Sequence, residues 1–239
     1  MIPRGMKPMI DIHTHILPGM DDGARDVRES LAMIDLLKKQ GVAGAVLTPH
    51  YYAHRESVEE FLWRRQQAFE EISFIEDFPL FLGSETYLSE SLLSNESLQE
   101  LCLGDGNHLL LEMPYLSKWG TTTYRLIEHI IEKYQVTPII PHVERYEASS
   151  KNLMEIMERL VNMGCLLQFN LESFIEGWPG PRKMQRMFSQ GWADFLASDC
   201  HNLTRRPPLW DREVFKKSIN DIPMKKGWNM ADRMDEVLF

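Results

Sequence analysis

The sequence predicts an α/β barrel of seven parallel strands, each followed by a helical stretch. Two observations carry that prediction. Apolar runs of strand length alternate with amphipathic runs of helix length along the 239-residue chain, with no linker or break in composition. Such alternation implies parallel pairing, and seven units in one chain point to closure of the sheet. In addition, six of the seven apolar runs end in His, Asp or Glu. A barrel gathers the C-terminal ends of its strands on one face, so these residues would meet in one pocket. An open doubly wound sheet is the alternative. It would carry a Gly-rich dinucleotide turn after the first strand, where HTHILPG stands instead.

The elements follow in order. Strand 1 is expected over residues 9–13, after a short leader at 1–8. A helix over 26–40 has Val27, Leu31, Ile34 and Leu37 on one face and Gly41 as its stop. Strand 2 covers 44–48, and a helix over 56–75 repeats Phe61, Arg65 and Phe69. Strand 3 covers 79–83, with a weaker helical stretch near 90–102. Strand 4 covers 108–112 and a helix 121–134; strand 5 covers 137–141. The next helix takes Ser149 or Ser150 as N-cap and Gly164 as stop, with Leu153, Ile156, Met157 and Leu160 facing inward. Strand 6 covers 165–169, with a loop over the mouth at 172–181 and a helix at 181–190. Strand 7 covers 194–198, with a helix at 209–218. The whole chain, 1–239, reads as one domain whose tail at 219–239 carries no motif.

Bulk properties narrow the function. The formal charge of −9 argues against a general nucleic-acid or membrane-surface binder, which would usually be basic. No apolar run approaches the roughly 20 residues that a membrane span needs. The N-terminus lacks the apolar core and cleavage site of a secretory signal. Cys102, Cys165 and Cys200 are odd in number and form no C-x-x-C pair, which suits a reducing, cytoplasmic compartment.

The strand ends carry the chemistry. His13 and His15 stand two apart after strand 1, and Asp199 and His201 have the same spacing after strand 7. On extended chain that spacing puts both side chains of a pair on one face. His50, Glu85, Glu112 and His142 end strands 2 to 5, and Asp22 follows the first pair. Asp22 is preferred to its neighbour Asp21, and Asp11 lies within strand 1. A single Glu at a strand end is more often a cap or a surface acid, and a single His is more often packed in a core. Six strands ending alike is a collective signal that chance placement would scatter. Nine imidazole and carboxylate ligands would suffice for more than one ion and suit Mn, Fe, Zn or Mg without any thiolate. Ions so placed lower the pKa of water and hold attacking and leaving oxygens. His54, His108 and His129 lie in a loop, at a strand start and in a helix, so they fall outside the set.

The run HTH, DDG, TPH, GSE, LLLE, PHVERY, SDCHN and RPP resembles the polymerase-and-histidinol-phosphatase (PHP) superfamily of metallo-phosphoesterases over about residues 9–210. Within it, the sequence is most similar to the bacterial manganese-dependent protein-tyrosine phosphatases encoded with capsule and exopolysaccharide genes. The resemblance implies a distorted (β/α)7 barrel with up to three Mn²⁺ ions. It implies one ion on His13, His15, Glu85 and Asp199, and a second on Glu85, Glu112 and His142. A third would take Asp22, His50 and His201, with Arg145 and Arg206 binding phosphate. Arg205 stands beside Arg206 and competes for that role, and Glu144 or Glu147 would be the salt-bridge partner of a merely structural Arg145. The implied partner is a phosphotyrosine-bearing protein, such as the tyrosine-rich tail of a cytoplasmic kinase that regulates polysaccharide export.

Three rival functions remain. The same scaffold could act on a small phosphomonoester such as histidinol phosphate. Cys200 to Arg206 matches the C-x5-R spacing of thiol phosphatases, but holds no glycine and runs into Pro207 and Pro208. A non-enzymatic phosphotyrosine-binding module would need a broken ligand set, and this set is complete.

Overall fold

The computed structural model describes residues 9–114, 119–146, 150–175, 190–210 and 238. Among them, β1 (Ile10–Thr14) leads to α1 (Val27–Lys39), and β2 (Gly44–Leu47) and β3 (His50–Tyr51) lead to α2 (Val58–Glu70). Next come β4 (Leu80–Leu82) and β5 (Glu85–Tyr87), then β6 (His108–Glu112) and α3 (Thr121–Tyr134). The chain continues through β7 (Thr137–Ile140), α4 (Ser150–Asn162), β8 (Leu166–Asn170), α5 (Glu172–Ile175) and β9 (Phe195–Ala197).

All named strand pairs are parallel, in the orders β1-β2-β4 and β3-β5-β6-β7-β8-β9. Strand positions 2 and 3 are each broken in two, at Thr48–Pro49 and Gly83–Ser84. β2 and β4 pair below the break and β3 and β5 above it, so the two sheets are successive layers of one curled wall. The ends of the wall meet. Asp199 N donates to His13 O at 3.0 Å and His15 N to Cys200 O at 2.9 Å, beside a parallel bridge between Thr14 and Cys200. The expected seven-position barrel is therefore present, with its distortion at positions 2 and 3.

Local chemistry explains the helix ends. The Asp26 side chain caps α1 by accepting from Glu29 N, and Gly41 takes a left-handed φ of +84° after it. Ser57 and Glu60 form a reciprocal capping box at α2, so that helix begins at Val58 rather than at 56 and ends at Glu70 rather than at 75. Gly164 stops α4 at φ +87°, as expected, whereas residue 149 lies outside the described residues. Ile34 and Leu37 of α1 and Leu153, Met157 and Leu160 of α4 are buried. Each such side chain contributes about 1.5–3 kcal/mol of transfer free energy.

Four expectations are corrected. The stretch near 90–102 forms two short 3-10 turns, Glu90–Ser94 and Gln99–Leu101, because the polar Ser94–Asn95–Glu96–Ser97 breaks its apolar face. The strands expected at 44–48 and 79–83 are present as β2 and β4, but each is followed by a second short strand, β3 and β5, that was not expected. The loop expected at 172–181 starts with the one-turn α5, and its remainder and the helix expected at 181–190 lie outside the described residues, save Gln190, which is in a turn. Residues 209 and 210 are not helical, and 211–218 lie outside the described residues.

The reason at 209–210 is a buried hydrogen-bond relay. Asp11, fully buried, accepts from Ser198 N at 3.1 Å and from Trp210 Nε1 at 2.6 Å. Trp210 N donates to Gln40 Oε1, and Gln40 Nε2 donates to Pro208 O, both at 2.8 Å. The relay ties strand 1, strand 7 and the end of α1 together. No helix among the described residues is long and apolar enough to cross a membrane. Trp210→Phe should keep the packing but remove one donor from buried Asp11. We expect a loss of about 1–3 kcal/mol in unfolding free energy, read by urea denaturation; an unchanged midpoint would mean that the relay is not structural.

Candidate metal centre

The expected ligands lie at or beyond the C-terminal ends of β1, β6, β7 and β9, except His50 and Glu85, which open the short strands β3 and β5 just past β2 and β4. The first pair depends on a fault in the pairing. From Asp11 to Thr14, β1 advances three residues while β2 advances two, from Ala45 to Leu47. A bulge of this kind re-aims side chains. Here His13 lies within it, and His13 Nε2 and His15 Nε2 approach to 3.2 Å. The ligands His142 and Asp199 have left-handed φ values of +34° and +51°, a conformation uncommon outside glycine and found most among Asn, Asp and His.

In one group, five of the six ligand–ligand distances fall at 3.2–3.5 Å. His13 Nε2 lies 3.3 Å from Glu85 Oε2 and 3.4 Å from Asp199 Oδ1, and His15 Nε2 lies 3.2 and 3.5 Å from the same atoms. A tetrahedron with edges of about 3.4 Å has its centre about 2.1 Å from each corner, the usual metal–imidazole distance. All four residues are buried. A second group, His15, Asp22, His50 and His201, has Asp22 Oδ1 at 3.3 Å from His50 Nε2 and 3.4 Å from His201 Nε2. A third joins His50, Glu85 and Glu112. That group brings His50 beside Glu85 and Glu112 as well as beside Asp22 and His201. His142 Nε2 meets the other Glu85 oxygen, Oε1, at 2.7 Å. All nine expected ligands stand at this mouth, with Glu85 at its centre.

The donor set passes a test of fit. Asp199 Oδ1 and His50 Nδ1 are buried without a hydrogen-bond partner, and both belong to these groups. Asp199 divides its carboxylate. Oδ2 accepts from Asn170 Nδ2 and from Arg145 Nη1, each at 2.7 Å, and from Arg206 Nη2. Oδ1 is left for an ion.

Strand 6 contributes no ligand, and the structure shows what it does instead. Gln168 Oε1 accepts from His13 Nδ1 at 3.0 Å and from His142 N at 3.1 Å. Gln168 Nε2 donates to Asn170 Oδ1, which leads on to Asp199. Donating from Nδ1 leaves the Nε2 lone pair of His13 turned inward. Asp21 does the same for His15, with Nδ1 to Oδ2 at 2.7 Å, and also accepts from Gly23 N and His50 N. Asp21 and Asp22 therefore divide the work, Asp22 facing the ligand group. A Cβ on Gly23 would lie 2.2 Å from His15 O, so only glycine fits there.

Electrostatics agree. Burial disfavours a charged His15, but Asp21 and Glu85 outweigh it and raise its pKa to about 9. His50 is likewise opposed by burial and raised to about 12 by Glu85 and Asp22. Burial and the charge on Glu85 push Glu112 up to about 8. Burial and His15 take His201 down to about 4. Burial opposes ionisation of Glu85 and Asp199 as well. Even so, neighbouring imidazoles hold both far below the carboxylate range, with Arg206 and Arg145 adding to the effect at Asp199. Protons are retained where positive charge is demanded, and a divalent ion would supply that charge while displacing them.

The arginines are placed unequally. Arg145, part-buried, bridges Asp199 and Glu172 (2.7 Å each), while Glu147 lies outside the described residues. Arg206 reaches Asp199 and His201 Nε2, whereas Arg205 is exposed. The turn that returns Arg206 is built by Asn202, whose Oδ1 accepts from the backbone N–H groups of Thr204, Arg205 and Arg206. Cys200 is fully buried, and burial drives its thiol pKa well up.

A parallel barrel with a multi-ligand His and carboxylate centre at its mouth, flanked by two arginines, defines the class. The chain belongs to the capsular polysaccharide synthesis CpsB/CapC family, which matches residues 9–234. Tyrosine-protein phosphatase CpsB of Streptococcus agalactiae is 30% identical over 230 residues, covering 92% of this chain and 93% of that protein. Tyrosine-protein phosphatase YwqE of Bacillus subtilis (strain 168) is 29% identical over 215 residues, covering 83% and 79%. A solved structure from the pair YwqE of Bacillus subtilis and CpsB of Streptococcus pneumoniae, described as unique metal-dependent tyrosine phosphatases, shares the fold. Its TM-score is 0.72 at 23% identity, over 96% of this chain and 94% of the other.

Gln168→Leu tests the support given to His13. Metal affinity, read by competition with a chelator, should fall about 10–100-fold while the circular dichroism spectrum is kept. An unchanged affinity would mean that the amide does not orient the ring.

Proposed function

We propose that this chain is a metal-dependent protein-tyrosine phosphatase, a single domain over 1–239 acting in the cytoplasm. The observation that carries the reading is the divided Asp199 carboxylate, with one oxygen free toward a four-ligand group and the other held by two arginines. Membership of a family whose relatives bear the name tyrosine-protein phosphatase supports it. The substrate is a phosphotyrosine-bearing protein, such as a kinase tail that governs capsule or exopolysaccharide synthesis.

In this reading His13, His15, Glu85 and Asp199 hold one ion. Glu85 and Glu112, with His50 or His142 beside them, hold a second. Asp22, His50 and His201 hold a third. Manganese is the metal that the family resemblance implies, and the nitrogen and oxygen ligands accommodate it as they would Fe, Zn or Mg. Bound ions activate water near neutral pH and neutralise phosphate charge. Arg145 and Arg206 grip the non-bridging phosphate oxygens, for which a guanidinium fork is suited. Asn170 and Gln168 keep the ligands in place. A tyrosyl leaving oxygen, with a pKa of about 10, departs with little acid assistance. Cys200 has no part: it is buried in the seam between strands 1 and 7, and its thiol is held protonated.

Chelator-stripped protein should lose turnover of a phosphotyrosine peptide and regain it with Mn²⁺. His13→Ala and Asp199→Ala should each lower turnover by about a hundredfold or more, whereas Cys200→Ser should stay within roughly twofold. Activity that survives stripping would overturn the metal reading. Restored activity favouring histidinol phosphate would overturn the substrate.

A further inference from the structure

The two central ligand strands carry an aromatic residue two positions beyond the ligand. His50 is followed by Tyr52, and Glu85 by Tyr87. Residues i and i+2 of a strand point the same way, about 6.6 Å apart along the chain. β3 and β5 pair with His50 opposite Glu85, which brings the two tyrosines together one layer outward. Their ring centroids are 5.6 Å apart, and Tyr52 also lies 5.6 Å from His50. His54 joins both rings, at 5.8 and 6.2 Å. The guanidinium of Arg55 sits 4.3 Å over Tyr52. Beside them a cleft of about 400 Å³ is lined by Met20, Asp22, His50, Tyr52 and Arg55.

These rings are not core. Tyr52 and Tyr87 are half-buried and, unlike half-buried Tyr134, do not pack against the hydrophobic core. The chain has set an aromatic surface directly above its ligand layer, facing the mouth. In phosphotyrosine the ring begins two bonds from phosphorus, and in phosphoserine that place is a methylene.

We propose that Tyr52 and Tyr87, one residue pair outward from His50 and Glu85, form the wall that receives the aromatic ring of an aryl phosphate and so selects aryl over alkyl phosphomonoesters. This inference rests on the phosphotyrosine reading above. Offset or edge contacts between rings are the source of the preference, and Arg55 stacks on the Tyr52 ring.

The test uses Mn²⁺-loaded protein and two probes that cannot be hydrolysed, phenylphosphonate and methylphosphonate, with affinities read by calorimetry. The readout is the ratio of the two, so general damage to the centre cancels. Wild type should prefer the phenyl probe. Tyr52→Leu and Tyr87→Leu should each erode the preference about three- to tenfold, and Tyr52→Phe and Tyr87→Phe should keep it. A wild type without preference, or Leu variants with the wild-type ratio, would overturn the wall. Hydrolysis of a phosphotyrosine peptide is measured alongside. If the peptide is not hydrolysed but the Leu variants still lose the phenyl preference, the wall stands and the phosphotyrosine reading falls.

Discussion

Two carboxylates, Glu85 and Asp199, are taken out of water at the mouth of this barrel, and a buried anion is tolerable only beside compensating charge. The rest of the site follows from that constraint. Five imidazoles stand within 3.5 Å of an oxygen of one or the other, and two guanidiniums close on Asp199. Glu112, farther from this compensation, keeps its proton instead. The same concentration of donors that makes the buried anions tolerable makes a place for divalent ions.

Supporting hydrogen bonds turn this charge cluster into a directed one. Gln168 and Asp21 decide which nitrogen of His13 and His15 faces inward. Asn170 and the arginines occupy one oxygen of Asp199 so that the other points at the ions. Asp11, deeper in the wall, fastens strand 1 to strand 7 at the seam where His13, His15 and Asp199 meet. The ligand geometry thus depends on the closure of the barrel.

Much of this was legible in the sequence because the ligands share a position. His50, Glu85, Glu112, His142 and Asp199 each end an apolar run, and strand ends converge in a barrel. What was not legible has physical reasons. The readings of strands 2 and 3 stop at 48 and 83, since periodicity does not show that two- and three-residue strands resume beyond Pro49 and Ser84 in the next layer. Gln168 and Asn170 carry no motif, although their spacing of two on the ligand-free strand was a usable signal. Asp21 and Asp22 looked like competitors, because sequence does not tell a residue that binds an ion from one that orients a ligand. That His50 also comes beside Glu85 and Glu112 needed coordinates, since His50 and His142 follow the strands flanking the same acids. The break between 94 and 97 was visible as polar residues but read as a weak helix.

The left-handed backbone at His142 and Asp199 bears on how such a protein ages in evolution. These conformations oppose folding, and they persist because the ligands must turn sharply off their strands. Once selection for catalysis relaxed in a lineage, a glycine at either position would relieve strain, and loss of a buried acid at 199 would remove a desolvation cost as well. Inactive descendants would therefore drift first at their ligands, and could gain thermal stability as they did so. In a chain with this fold, an intact His142 and Asp199 marks a site still under use.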